Sequence, residues 1–435
     1  MPTIPTHLLV PRSGSREILV DSDGTLPRLD LELKVEDTIV GAVGRHLRSG
    51  WGLDAIVLET HLPPPRDGSD AVALAVLEAP DEGWRVPPRT RWGGAPAQLP
   101  ERIGPRALTW LDEWRSGVGP PRLRPRWARP GWQRRATSWI RASLDRAGRP
   151  ATGEIEFRRL WGISSTARVP TANGGAAWFK AVFPHFDNEV AITRFLDAEV
   201  PGAVPAVIAA DEREGWLLLD DVGGGLAIGF DANDDQLTAS IRRLVEIQIA
   251  FVGREDQLRA AGVPDRPLSR LAVDIDAAMQ RPEEIEGPTV PAERLATVLD
   301  WVREQAEWLD AIGLPATLLH GDFHVFNVIE REGEPVIIDW SDAAISHPLL
   351  DIGPWFGHPK APSDPDRSWG MWLTALSSLG PVESLRDERE RVVGLASAFQ
   401  LVSYAAIVRN LEPANRYQLS DGVRDFWALL DAAVG

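Results

Sequence analysis

The sequence predicts an α+β protein: a small mixed domain, then five antiparallel strands with one inserted helix, then a mostly helical region. Residues 1 to about 100 alternate short strand-like runs with Pro, Gly and Asp punctuation. Residues 155 to 222 read as three strands, a helix and two more strands. From Gly223 onward the apolar spacing is helical, except for one compact strand pair dense in His, Asp and Asn.

The first strands are the runs HLLV, EILV, LDLEL, AIVLE and AVALAVLE. One helix interrupts them, Asp37 to Arg48, with Ile39, Val40, Val43 and Leu47 at helical spacing. This gives an accessory α+β domain over residues 1–115. From Arg115 to Arg149 there are ten arginines against a single acid, Asp145. The prolines of its first half mark residues 116–130 as a basic linker, and Trp132, Trp139, Ile140 and Leu144 space a helix that opens the next domain. In that domain, 131–222, the strands are IEFRRLWGIS, STARVPTA, GGAAWFKAVF, AVIAAD and GWLLLDDV, with the helix NEVAITRFLDAE after the third. Residues 223–435 form the helical part.

A chain of 435 residues with 44% hydrophobic and 25% charged content has the makings of several folded cores. It has no cysteine, which excludes disulfides, thiolate nucleophiles and thiolate-bound metals. The apolar runs are only strand-length and the N-terminus lacks a signal pattern, so the expectation is a cytoplasmic protein that does not enter membranes. Only three of its 46 basic residues are lysines: Lys34, Lys180 and Lys360. Residues 1–150 hold 22 basic and 18 acidic side chains, and the remainder 24 and 45. Such an acidic field argues against nucleic acid and for a cationic small molecule, although an acidic surface kept for solubility is an equal reading.

Residues 318–340, LLHGDFHVFNVIEREGEPVIIDW, carry the chemistry. An apolar run delivers Asp322, Asn327 follows five residues later, and a Gly-containing hairpin leads to a second apolar run ending in Asp339. Phosphoryl transfer from ATP needs a carboxylate that accepts or orients the acceptor hydroxyl, and oxygen ligands that hold Mg²⁺ on the phosphates. Asp322 can supply the first, Asn327 and Asp339 the second.

These residues resemble the aminoglycoside phosphotransferase and choline kinase-like family, marked by His-Gly-Asp-x-His-x-x-Asn and then a strand ending Ile-Asp-Trp. His320, Gly321, Asp322, His324, Asn327, Ile338, Asp339 and Trp340 all match, and Pro348 and Asp351 continue the pattern, Asp351 as a bracing contact. The resemblance implies a bilobal protein kinase-like fold, ATP and Mg²⁺ as cofactors, and a small polar acceptor. It implies that Lys180 grips the phosphates, that Glu189 positions it, that Ser164 and Ser165 cover the phosphates, and that Asp220, Asp221 and Val222 meet the adenine. For His320 and His324 it leaves open whether they do more than hold the loop. Trp355, Trp369 and Trp372 follow on the acceptor side, either as core or as faces for a cation or sugar. The implied activity is a kinase for an amine-bearing molecule such as an aminoglycoside, aminocyclitol or amino sugar. A kinase for a neutral sugar, choline or homoserine stays open, as does a silent nucleotide-binding regulator.

Residues 36–54 also resemble the helix of Nudix hydrolases through Arg45, Leu47, Gly52 and Leu53. His46, Ser49 and Gly50 stand where that family's metal-binding glutamates belong, so the resemblance implies an inactive relic; the alternative is an unrelated accessory domain.

Overall fold

A computed structural model describes the whole chain except residues 1–2, 34–37, 65–69, 224–226, 230–231 and 358–363. Lys34, Asp37 and Lys360 thus lie outside the described residues. The chain divides into two compact units, Met1–Phe183 with Leu411–Tyr417, and Pro184–Asn410 with Gln418–Gly435.

The first unit contains a four-stranded mixed sheet in the order Arg28–Glu32, Thr3–Leu9, Ala73–Leu77, Val57–His61. Thr3–Leu9 runs antiparallel to Arg28–Glu32 and parallel to Ala73–Leu77. Arg28–Glu32 alternates, burying only Leu29 and Leu31, as an edge strand with one wet face does; the inner Ala73–Leu77 is buried throughout. The expected helix is Ile39–Trp51, capped by the Thr38 hydroxyl and closed by Gly52, with Val40, Val43 and Leu47 on its buried face. A second helix, Gly104–Ser116, packs Ala107, Trp110 and Leu111 onto sheet residues Leu9, Leu58, Leu74 and Val76.

The proline-rich stretch after it is exposed over residues 116–122 and packs from Arg124 onward. Arg124 is fully buried, donating to Glu412 at 2.8 Å and Glu113 at 2.7 Å, with its guanidinium 3.9 Å from the Trp110 ring centroid. A buried guanidinium persists only with such partners. Helix Trp132–Arg146 then buries Trp132, Ala136, Ile140 and Leu144, spaced one turn apart, with Trp132 against Phe157 and Phe179. Those two rings project from Glu156–Leu160 and Ala176–Val182, which flank Ser164–Pro170 in an antiparallel arrangement.

The second unit begins with helix Glu189–Glu199 and the antiparallel pair Val207–Asp211 and Trp216–Asp220. The expected five-stranded antiparallel sheet, with its helix after the third strand and a helical region following, is therefore present, and the fold is α+β protein kinase-like. The helical region is built around Arg389–Asn410, buried on most sides as a helix apolar all round must be. By length and composition this helix could cross a membrane, yet its most apolar stretch is 72% buried inside the structure.

Candidate active site

The motif region folds as two short strand pairs. Thr317–Leu319 lies antiparallel to Ala344–Ser346, and Val328–Arg331 to Glu334–Ile337. The second hairpin turns on Glu332 and Gly333, both at positive φ (53° and 86°), the combination a two-residue primed turn requires. It returns the chain so that the Ile338 N–H donates to the Asn327 carbonyl at 2.9 Å. Asp339 is thereby carried back beside the loop that holds Asp322.

Gly321 makes this loop possible. Its φ is 83°, and a Cβ there would stand 2.0 Å from the Asp342 carbonyl oxygen. The Asp351 carboxylate accepts from the Gly321 N–H at 2.8 Å, the His320 N–H at 3.1 Å and Gln248 at 3.0 Å, which is the expected bracing contact. Burial pushes the Asp351 carboxyl up to about 7, against the pull of those three donors.

Both loop histidines hold the loop. In buried His320, Nδ1 accepts from the Asp322 N–H at 3.2 Å, so Nε2 carries the proton and donates to the Ile338 carbonyl at 2.9 Å. Burial lowers its pKa, and the ring stays neutral. His324 Nδ1 accepts from the Phe326 N–H at 3.2 Å, which directs Nε2 to Asp322 Oδ2, 3.4 Å away.

Asp322, Asn327 and Asp339 come together. The Asn327 amide nitrogen donates to the Asp322 carbonyl at 2.9 Å, which fixes the side chain and sets its oxygen on the opposite branch. Asp339 sits at φ 67°, a strained conformation for a non-glycine residue and one that gathers at functional sites. Its Oδ1 accepts from the Ser341 hydroxyl at 2.8 Å. All three groups offer hard oxygens of the kind Mg²⁺ takes. Among the described residues no three His, Asp or Glu side chains form a ready metal cage.

Three residues of this site are not legible from the motif. Asp342 is pushed up to about 8, by burial first and then by the charges of Asp322 and Asp339, while Arg266 works the other way. The Arg266 guanidinium donates to Ser403 Oγ at 2.7 Å and the Phe399 carbonyl at 3.1 Å, and burial lowers its pKa to about 10. Tyr404 has its pKa raised by burial and by Asp322 and Asp342, so its hydroxyl stays a donor near Asp322. The carboxylate of Asp342 was visible in sequence three residues past Asp339, but its burial was not.

The remaining predicted residues are spread over both units. Lys180 lies on Ala176–Val182 in the first unit; Glu189, buried, opens helix Glu189–Glu199 in the second. Asp220 ends the strand Trp216–Asp220, with Asp221 and buried Val222 following. Ser164 and Ser165 differ from expectation, because they lie in strand Ser164–Pro170 and not in a loop. Ser165 is fully buried and Ser164 accepts from the Trp161 indole at 2.6 Å, so neither hydroxyl is presented as a phosphate cover. The tryptophans are core. Trp355 stacks on Phe323 at 5.2 Å, Trp372 meets it edge-on at 5.8 Å, and Trp369 is bonded to the Leu385 carbonyl, so the first two form a floor under the catalytic loop.

Residues 172–376 match the family model described as the phosphotransferase enzyme family. No curated protein matches the sequence. Among similar solved structures, the GDP and kanamycin complex of APH(2")-IIia is 16% identical with a TM-score of 0.48, covering 69% of this chain and 98% of its own. Macrolide 2'-phosphotransferase MphH from Brachybacterium faecium is 15% identical with a TM-score of 0.47, covering 66% and 97%. A choline/ethanolamine kinase family protein from Mesorhizobium loti is 17% identical with a TM-score of 0.45, covering 68% and 98%. The Asp322 loop and the Asp339 hairpin lie within the matched residues 172–376.

Proposed function

We propose that this kinase transfers the γ-phosphoryl group of ATP to a hydroxyl of a small amine-bearing molecule, an aminoglycoside, aminocyclitol or amino sugar. The observation that carries the reading is the gathering of Asp322, Asp339 and Asp342, with the Asp342 carboxyl forced up to about 8 by burial and by its two neighbours. Carboxylates that raise one another's pKa repel each other, and cations relieve that repulsion.

Asp322 accepts or orients the acceptor hydroxyl, aimed by His324 and by the loop that His320 and Asp351 hold. Asn327 and Asp339 would hold Mg²⁺, which when bound neutralises charge on the phosphates. Lys180 binds the phosphates with Glu189 as its positioning partner, and the backbone of Asp220 to Val222 receives the adenine. A site in the cytoplasm, where ATP is available, completes the proposal. A neutral-sugar acceptor is the second reading, favoured by the Tyr404 hydroxyl, which is kept protonated beside Asp322 and can serve a sugar hydroxyl.

ADP release over a panel of amine-bearing, neutral and anionic acceptors tests the proposal. An amine-bearing acceptor should be best, with a Michaelis constant that rises with ionic strength as its attraction is screened. A neutral best acceptor with a salt-independent Michaelis constant would overturn the charge argument.

A further inference from the structure

The site described so far explains what holds Asp351 and the two histidines, but not what fixes the peptide that precedes Asp322. The Gly321–Asp322 peptide plane has two polar ends. Its N–H, from Asp322, donates to His320 Nδ1 at 3.2 Å. Its carbonyl, from Gly321, accepts from the Gln400 side-chain amide at 2.6 Å. Gln400 is buried and lies 79 residues away, on helix Arg389–Asn410.

The approach of that helix is itself specified by sequence. Gly353 stands two residues after Asp351, and a Cβ there would come 2.9 Å from Gln400 Cγ and 3.0 Å from the Ala396 carbonyl. The missing side chain lets the helix come near enough for Gln400 to reach Gly321. A buried side-chain donor held at short range has the geometry of a built contact.

We propose that Gln400 is a positioning residue for phosphoryl transfer: with His320 it locks the Gly321–Asp322 peptide plane and so sets where the Asp322 carboxylate points. It does not touch the reacting atoms.

Two substitutions of similar shape test this, Gln400→Met, which cannot donate, and Gln400→Glu, which donates only when protonated. ATP hydrolysis with water as acceptor, Mg·ATP binding by calorimetry, and deuterium exchange at residues 320–323 are read on the full chain. Gln400→Met should lower kcat about 10-fold or more, with Mg·ATP affinity unchanged, because misdirection of one catalytic group costs turnover and not nucleotide contacts. Burial and the facing carbonyl raise the pKa of the introduced carboxyl. Gln400→Glu should therefore approach wild-type turnover and exchange at low pH and lose both as pH rises, relative to wild type at each pH. Wild-type kcat in Gln400→Met overturns the proposal. So does a joint fall of kcat and Mg·ATP affinity with no recovery of Gln400→Glu at low pH, which would mark a packing residue only. The exchange measurement needs no turnover: if wild type hydrolyses no ATP, its pH-dependent recovery in Gln400→Glu supports the proposal and its absence rejects it.

Discussion

At the residue scale, catalysis and stability oppose each other in the acidic cluster. The folded state keeps the Asp342 proton up to about 8, while the unfolded chain loses it near 3.8, the ordinary value for an aspartate. Between those values the native state binds more protons, so this group makes the protein less stable as pH rises. Asp342→Asn should therefore raise the unfolding temperature in the absence of nucleotide, by more at pH 8 than at pH 5. The gain at the higher pH should be at least about 1 kcal/mol, since one pKa unit is worth 1.36 kcal/mol. Calorimetry at both pH values checks it, and an equal or negative effect contradicts the assignment. Asp339→Ala should abolish Mg²⁺-dependent ATP binding, because it removes the one anionic ligand assigned to the metal; titration of ATP with and without Mg²⁺ reads this directly. The placement of Asp322, Asn327 and Asp339 on one loop and its hairpin was readable because their geometry is local: a five-residue spacing and a hairpin with a two-residue turn. Gln400 was not, since it reaches the loop from a helix about eighty residues on and a lone Gln in an apolar helix reads as ordinary core.

At the scale of elements, packing decided what periodicity left open. Trp355 and Trp372 have the composition of a ligand-binding wall, but their rings close on Phe323 in the catalytic loop itself. Trp372→Ala should then cost about 3 kcal/mol or more of stability, as large aromatic truncations in cores do, and lower turnover through the loop without shifting acceptor preference. Thermal melts with the acceptor panel check both halves. The arginine-rich stretch shows the same limit. Its prolines describe an extended path, while the burial of Arg124 depends on Glu412, nearly three hundred residues later. Arg106 donates to the same carboxylate at 2.7 Å and also binds Glu59. Burial alone would raise the Glu412 pKa, yet the hydrogen bonds and charges of Arg106 and Arg124 hold it below the usual value. Its stabilising effect is thus present above the unfolded-state pKa and lost as pH falls through the lower folded-state value. Glu412→Ala leaves two buried guanidinium groups short of a partner and should destabilise the first unit by about 3 kcal/mol or more.

At the scale of the whole molecule, the first unit joins a mixed sheet, three helices, three strands of the kinase-like sheet and the segment Leu411–Tyr417. No change of composition marks Phe183 or Leu411, because the residues that make this unit one body meet through distant contacts such as those of Glu412. The helix Ile39–Trp51 keeps the apolar face expected of it but contains no Asp or Glu. A Nudix-type reaction needs carboxylates on that helix to hold metal. The full-length protein with Asp322→Asn should therefore show no hydrolysis of nucleoside diphosphate derivatives with Mg²⁺ or Mn²⁺; turnover above background would assign a second activity to the first unit. The central claim is that the Asp322 loop performs phosphoryl transfer. The measurement that tests it most directly is ADP release by wild type and Asp322→Asn with the best acceptor of the panel, alongside Mg·ATP binding to both. The account predicts a loss in turnover on the order of 10²-fold or more with binding retained; equal turnover in the two proteins would contradict it.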